Sequence, residues 1–347
     1  MKRNVLVARM DNLGDVLLAG PCVRAVAAGS ERVVLLTGPR GRGTGELLPG
    51  VDEVLTWCAP WIDPEPPPVT EEDTGELVRR LRALSLDAAL VLTSFHQSPL
   101  PLALLLRMAG VPWIGAVCED YPGSLLDLRH HVPGDPPEAV RMLSLAQAAG
   151  FSLPAGDDGR LAIREPLPPV DGLLGREMLE DGYVVVHPAA SVPARQPSAQ
   201  RSAAFVRELQ TAGHHVVVTG SPAESGLTRE VAGSALDLGG RTRLPELAAV
   251  LAGADVVVAP NTGPAHLAAA VGTPVVSLFA PVVPASRWAP YGVPVVLLGD
   301  QHAGCRDSRA RVCPVPGHPC LDGIPSGAVV DAVAHLTHRA ASVGDRR

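Results

Sequence analysis

Short apolar runs alternate with longer stretches of helical periodicity along the whole chain. In the first half, 4–9 (NVLVAR), 32–37 (RVVLLT), 53–57 (EVLTW) and 87–92 (DAALVL) read as strands, with helical patterns at 15–28 and 74–84 between them. The second half repeats the plan. Strands at 183–188 (YVVVHP), 214–220, 255–260, 274–280 and 294–299 are separated by helical segments at 200–212, 224–232, 244–253 and 264–271. These strands are apolar on both faces rather than alternating, the mark of a parallel sheet covered by helices on each side. The pattern predicts the α/β class, as two Rossmann-like, doubly wound domains facing a cleft.

The proline-rich stretch 164–172 (REPLPPVDG) divides the halves. Domains are expected over 1–165 and 183–347, the second ending in a helix, with a linker over 166–182. Ligands of such sheets bind at the carboxyl ends of the strands, so the residues just after each strand carry the chemistry.

Composition sharpens this picture. Apolar residues are 46% of 347 but aromatics only 3%, so the cores must be built from Ala, Val and Leu. No apolar stretch approaches the roughly 20 residues a membrane-spanning helix needs. The basic amino terminus is interrupted by Asp11 and Asp15 where a signal peptide would be apolar. A cytoplasmic protein is expected, with room for peripheral contact at the inner face of the membrane. Residues 1–180 hold 16 basic and 24 acidic side chains, and 181–347 hold 13 and 12. An acidic chain of this kind is a poor nucleic-acid binder. The acidic first half favours a partner that is not strongly anionic, unless Arg79, Arg80, Arg82, Arg107 and Arg129 gather into a basic pocket.

Three strand-to-helix turns carry candidate chemistry. In 9–25 (RMDNLGDVLLAGPCVRA), Asp11 and Asp15 lie in one turn, with Asn12 between them. An acidic residue at a helix start is ordinarily a cap for backbone N–H groups. Two carboxylates in one turn at a cleft edge also suit a general base. In 255–274 (DVVVAPNTGPAHLAAAVGTP), Asn261, Thr262 and Gly263 lead into a helix opened by Pro264. Thr262 either caps this helix or offers its hydroxyl to a ligand. The amides of Ala265 and His266 are placed to meet phosphate oxygens, and His266 to donate a hydrogen bond or positive charge. In 184–209, Ser191 and Arg195 project from a loop, and arginine offers a fork for phosphate. The run 38–45 (GPRGRGTG) follows a strand but misses the dinucleotide fingerprint, so a nicotinamide enzyme is not supported. His302, Cys305, Cys313, His318 and Cys320 lack a C-x-x-C pair, and no metal site is expected.

Together these segments resemble family 9 glycosyltransferases, the ADP-heptose:lipopolysaccharide heptosyltransferases. The resemblance spans roughly 4–335. It is strongest at 9–21 (RMDNLGDVLLAGP), 191–197 (SVPARQP) and 238–281. It implies a GT-B architecture with an acceptor domain first and a nucleotide-sugar domain second. It implies inverting, metal-independent transfer of a heptose from a nucleotide-diphosphate sugar, ADP-heptose, to a hydroxyl of a glycan or small-molecule acceptor, with no cofactor. Asp15 falls on the family's catalytic aspartate, and Asp11 and Asn12 become acceptor-side candidates. Arg195 falls where the family has a phosphate-contacting lysine. Asn261, Thr262, Gly263 and His266 fall on the diphosphate loop, with asparagine at 261 where aspartate is common. Glu224, in 219–226 (TGSPAESG), matches a ribose-contacting position. The cysteine-bearing 305–320 resembles a loop of many members. The competing readings are transfer of another nucleotide hexose to a small molecule, and a non-catalytic sugar-nucleotide-binding protein.

Overall fold

The computed structural model describes residues 4–344, with side chains through His338. The chain divides into two compact units between Arg164 and Glu165. In the first unit the strands are β1 Asn4–Arg9, β2 Arg32–Thr37, β3 Glu53–Thr56, β4 Ala88–Val91, β5 Trp113–Val117 and β6 Leu128–His130. They form one parallel sheet in the order β3-β2-β1-β4-β5-β6. In the second unit, β7 Val184–Val186, β8 Val216–Val218, β9 Leu236–Asp237, β10 Val256–Pro260, β11 Val275–Leu278 and β12 Val295–Leu298 give β12-β11-β10-β7-β8-β9. Read from the far edge, that is the same doubly wound order, so the expected fold class holds in both halves.

Valine explains the second sheet. Val184, Val185 and Val186 pair in register with Val216, Val217 and Val218 on one side, and with Val256, Val257 and Val258 on the other. Three aligned β-branched triplets suit a pleated surface buried on both faces. Phe205 and Leu209 pack on this sheet from the helix Ala199–Thr211, and Val329 and Val333 from the helix Ser326–Gly344. In the first unit, Leu77 and Leu81 of Glu71–Ala83, with Leu102 and Leu106 of Leu100–Met108, cover Leu6, Ala8, Val34 and Val91.

Several elements differ from the sequence reading. The helix expected over 15–28 is two helices, Leu13–Leu18 and Gly20–Ala28, because the chain bends at Ala19 before Pro21. Strands β5, β6 and β9 were not anticipated. β5 has Gly115 at its centre in place of an apolar side chain, and the edge strands β6 and β9 are three and two residues long and carry polar residues. Residues 166–175 form no regular element and lead into the helix Arg176–Asp181. Among the described residues, no helix is long and apolar enough to cross a membrane.

With few aromatics available, each buried one matters. Phe205 is fully buried against the second sheet. Phe205→Ala should cost about 3–5 kcal/mol, measured as a lower urea midpoint at unchanged slope. A loss under about 1 kcal/mol would mean that the site collapses around the smaller side chain.

Candidate active site

In each sheet the strand order reverses beside the first strand, between β1 and β4 and between β7 and β10. A crevice opens at the carboxyl ends of such strands. The segments singled out in the sequence lie at these two places.

In the first unit the key group is one the sequence reading passed over as the end of a strand. Arg9, the last residue of β1, has no exposed surface. Its Nη2 donates to Asp15 Oδ1 at 3.0 Å and to Ser94 Oγ at 2.9 Å. Its Nε lies 3.1 Å from Asp11 Oδ2, an ion contact rather than an aligned hydrogen bond. Burial opposes the guanidinium charge, but the fields of Asp11, Asp15 and Glu138 outweigh it and raise its pKa. Fully buried Glu138 contacts Arg141 at 3.3 Å, and Arg141 Nη1 donates to the Thr93 carbonyl at 2.6 Å. Three carboxylates and two guanidiniums therefore meet beneath the first crevice.

Asp11 and Asp15 hold different positions in this cluster. The other oxygen of Asp11 accepts from Gln97 Nε2 at 2.5 Å. Burial pushes the Asp11 pKa up and the neighbouring Asp15 charge adds to this, while Arg9 and Gln97 restrain it. Asp15 sits in the first turn of Leu13–Leu18, and its Oδ2 accepts from the Asn12 amide at 3.3 Å. The capping role is thus real. It leaves Asp15 the more exposed of the two, with its side chain 19% accessible against 10% for Asp11. Asn12 is exposed at the helix start.

The glycine-rich 38–45 gains a purpose here. A Cβ at Gly38 would lie 2.5 Å from the Met10 carbonyl oxygen, and one at Gly41 would strike Thr37 and, at 2.7 Å, Val16. These glycines let the backbone after β2 press against the turn that carries Asp11. The arginines that could have gathered into a basic pocket are engaged locally instead, Arg80 with the Thr56 carbonyl. Arg79 pairs with Glu76, Arg107 with Asp127, and Arg82 and Arg129 donate to carbonyls of Met108 and Cys118.

In the second unit, Asn261 ends the β10 turn and Thr262 precedes the helix Gly263–Ala270. The Thr262 side chain makes no capping bond. Asn261 and His266 are buried, and neither Asn261 Nδ2 nor His266 Nδ1 has a protein partner among the described residues. Unpaired buried polar atoms are uncommon and call for a ligand or a strain account. Two refinements to the sequence reading follow. The Ala265 amide already donates to the Thr262 carbonyl at 3.2 Å, so it is not open to phosphate. Burial, reinforced by the charge of Arg195, lowers the His266 pKa to about 4. In the ligand-free protein His266 is therefore a neutral hydrogen-bonding group at pH 7, not a cation.

Ser191 is exposed, and Arg195 ends the short 3₁₀ turn Pro193–Arg195. Gln196 Oε1 accepts from the Ala190 amide at 3.0 Å and closes this loop. Glu224 Oε2 accepts from the Ser221 amide at 2.7 Å after β8. The sequence reading missed His187, at the end of β7. It is buried, contacts Thr219 Oγ1 through Nδ1 at 3.1 Å, and has its pKa lowered by burial to about 4 despite the field of Glu224. A histidine closing a run of four apolar strand residues, YVVVH, was the available signal. The first unit gave the same kind of signal, an arginine closing NVLVAR.

The segment 305–320 braces the Arg195 loop. The Ala194 amide donates to the Arg311 carbonyl at 3.0 Å, and His318 Nε2 lies 3.1 Å from the Ala194 carbonyl. Cys305 and Cys320 are buried thiols; burial, then Cys305 and Cys313, push the Cys320 pKa up to about 11. Among the described residues, no three His, Cys, Asp or Glu side chains cluster as metal ligands.

The chain is 30% identical over 164 residues to an Escherichia coli lipopolysaccharide heptosyltransferase 3, a match covering 44% of this chain and 46% of that protein. The match to the strain K12 protein of the same name is 33% over 112 residues, 29% of this chain and 31% of that one. The matched stretches thus span less than half of these relatives. Among solved structures, a family 9 glycosyl transferase from Veillonella parvula superposes with TM-score 0.74 at 15% identity, covering 97% of each chain. The Escherichia coli ADP-heptose lps heptosyltransferase II gives 0.72 at 19% identity, over 98% of this chain and 99% of that one. These neighbours share the GT-B fold. The model of glycosyltransferase family 9 (heptosyltransferase) matches residues 74–318, well over half the sequence, and the chain belongs to that family.

Proposed function

We propose that this chain is an inverting glycosyltransferase that moves a heptose from ADP-heptose to a hydroxyl of a lipopolysaccharide core or related glycan, without a metal ion. Family membership and the names of the matched relatives support the reaction class. The observation that carries the donor site is the pair of unpartnered buried groups, Asn261 Nδ2 and His266 Nδ1, at the β10 switch point. A diphosphate accepting from Asn261 and the helix terminus would satisfy groups the protein leaves unmet. Arg195 would supply the positive charge, because His266 is neutral. Glu224 and Ser191 are assigned to the nucleoside and sugar side.

Asp15 is the proposed base. Arg9 fixes its Oδ1, so the carboxylate presents one orientation to an acceptor hydroxyl held beside Asp11 and Asn12. The acceptor oxygen displaces the nucleotide diphosphate at the anomeric carbon from the opposite face, and the proton passes to Asp15. Charge developing on the departing phosphate is stabilised by Arg195 and the Gly263–Ala270 terminus, a contribution often larger than proton transfer. The lack of a metal requirement rests on charge. Arg195 and the Gly263–Ala270 terminus are assigned the diphosphate charge that a divalent cation would otherwise carry. The donor unit is residues 183–347 and the acceptor unit 1–165, in a protein working in the cytoplasm at the membrane face where lipid-linked acceptors lie.

Three outcomes test this reading. Asp15→Asn should fold and bind ADP-heptose normally but lose at least about 100-fold in turnover, the scale for removing a general base. Transfer near the wild-type rate would reduce Asp15 to a helix cap. Arg9→Lys keeps the charge and loses the fork, so kcat should fall about tenfold or more with donor KM little changed. Unchanged kcat would show that the fork does not orient Asp15. EDTA should leave transfer intact; activity lost on chelation and restored by Mg²⁺ or Mn²⁺ would overturn the metal-free reading.

A further inference from the structure

Two of the four phenylalanines, Phe205 and Phe279, are fully buried, as expected of a chain with 3% aromatics. Phe95 is 37% exposed. It lies in the loop 94–98, at the carboxyl end of β4 and so at the first switch point. The residues on either side of Phe95 and His96 are pinned. Ser94 Oγ accepts from Arg9 Nη2 at 2.9 Å, and Gln97 Nε2 donates to Asp11 Oδ1 at 2.5 Å. Ser94 and Gln97 also close on each other, through Ser94 N to Gln97 Oε1 and Gln97 N to the Ser94 carbonyl, both at 2.9 Å. The loop is therefore locked onto the carboxylate cluster from both ends. Between the locks, the Phe95 and His96 rings meet edge to face, with centroids 5.3 Å apart at 78°.

We propose that Phe95 and His96 form the acceptor subsite, a platform for the apolar ring face of an uncharged pyranose whose hydroxyl reaches Asp15. This deepens the transferase reading and rests on it. An aromatic face carries negative charge density and attracts the polarised C–H groups of a sugar ring. A loop held rigid before binding loses little entropy when the sugar arrives. The charge beneath sets the class of sugar. Asp11, Asp15 and Glu138 face Arg9, Arg141 and the His96 ring, whose field also acts on Asp11, and both guanidiniums are already engaged with carboxylates and carbonyls. A phosphate ester brought to Asp15 would meet that carboxylate with its guanidinium partner already engaged, whereas a neutral ring brings no charge to be repelled.

The test is saturation-transfer NMR with methyl mannoside and mannose 6-phosphate as probes, which needs no turnover. The neutral glycoside should bind with its ring C–H protons saturated. Phe95→Ala should weaken it about tenfold, and Phe95→Trp should retain it. Equal binding by Phe95→Ala, tighter binding of the phosphate ester, or no binding of either sugar at tens of millimolar would each overturn the platform. Because binding is read alone, a chain that binds the glycoside but transfers no sugar would sink the transferase reading and leave the platform standing.

Discussion

The buried charge of Arg9 governs the first unit. A guanidinium with no exposed surface is tolerable only if its charge and hydrogen-bonding capacity are met nearby. Here that need gathers Asp11 and Asp15 from one turn, Ser94 from the next loop in space, and Glu138 from a helix far along the chain. The same contacts that neutralise Arg9 hold Asp11, Asp15 and Ser94 in place at the crevice. Removing it would leave three carboxylates sharing one guanidinium, a change that costs several kcal/mol in comparable buried clusters. Stability and preorganisation of the proposed base therefore rest on the same interaction.

The second unit solves the opposite problem. Its crevice is lined by groups that are buried but not fully partnered, Asn261 and His266, and burial holds the imidazoles of His266 and His187 neutral. Such a surface has little charge of its own, and Arg195, whose field acts on His266, is left to supply the positive charge of the proposed donor site. The two units share a strand order yet present different chemistry, self-paired ions in one and unmet dipoles in the other. The fixed guanidinium of Arg9 holds the proposed base in one orientation. A phosphate site needs unspent donors.

Much of this was legible in the sequence, for local reasons. The valine triplets announce buried strands, and turns such as RMDNLGD and NTGPAH place their residues by chain connectivity alone. The fold class and the family were readable from these. What escaped was long-range. Ser94 and Gln97 reach Arg9 and Asp11 across 85 and 86 residues, and no local pattern marks them. Strands β5, β6 and β9 are short or polar, so their pairing is decided by neighbouring strands rather than by periodicity. Residue type alone could not say whether the first-unit arginines gather, and they are engaged with neighbouring carboxylates and carbonyls.

The tail shows how a loop without regular structure can still be specified. Residues 300–318 contain no helix or strand, yet Ala303 and Cys305 are buried in the second core, and Cys320 and Leu321 of the short helix Pro319–Asp322 anchor the loop's end there. Cysteine is well suited to this, being small and apolar when its thiol stays protonated, as burial ensures for Cys320. Anchored there, the loop offers its Arg311 carbonyl and His318 ring to the two sides of Ala194, the residue before Arg195. Asp322 adds a third tie, accepting from the Ser198 amide at 2.8 Å just beyond the loop. An arginine carried on a 3₁₀ turn of three residues would otherwise be free to swing away from a diphosphate. The apolar burial of two thiols thus acts, through backbone hydrogen bonds, on the position of the charge that the proposed donor site needs.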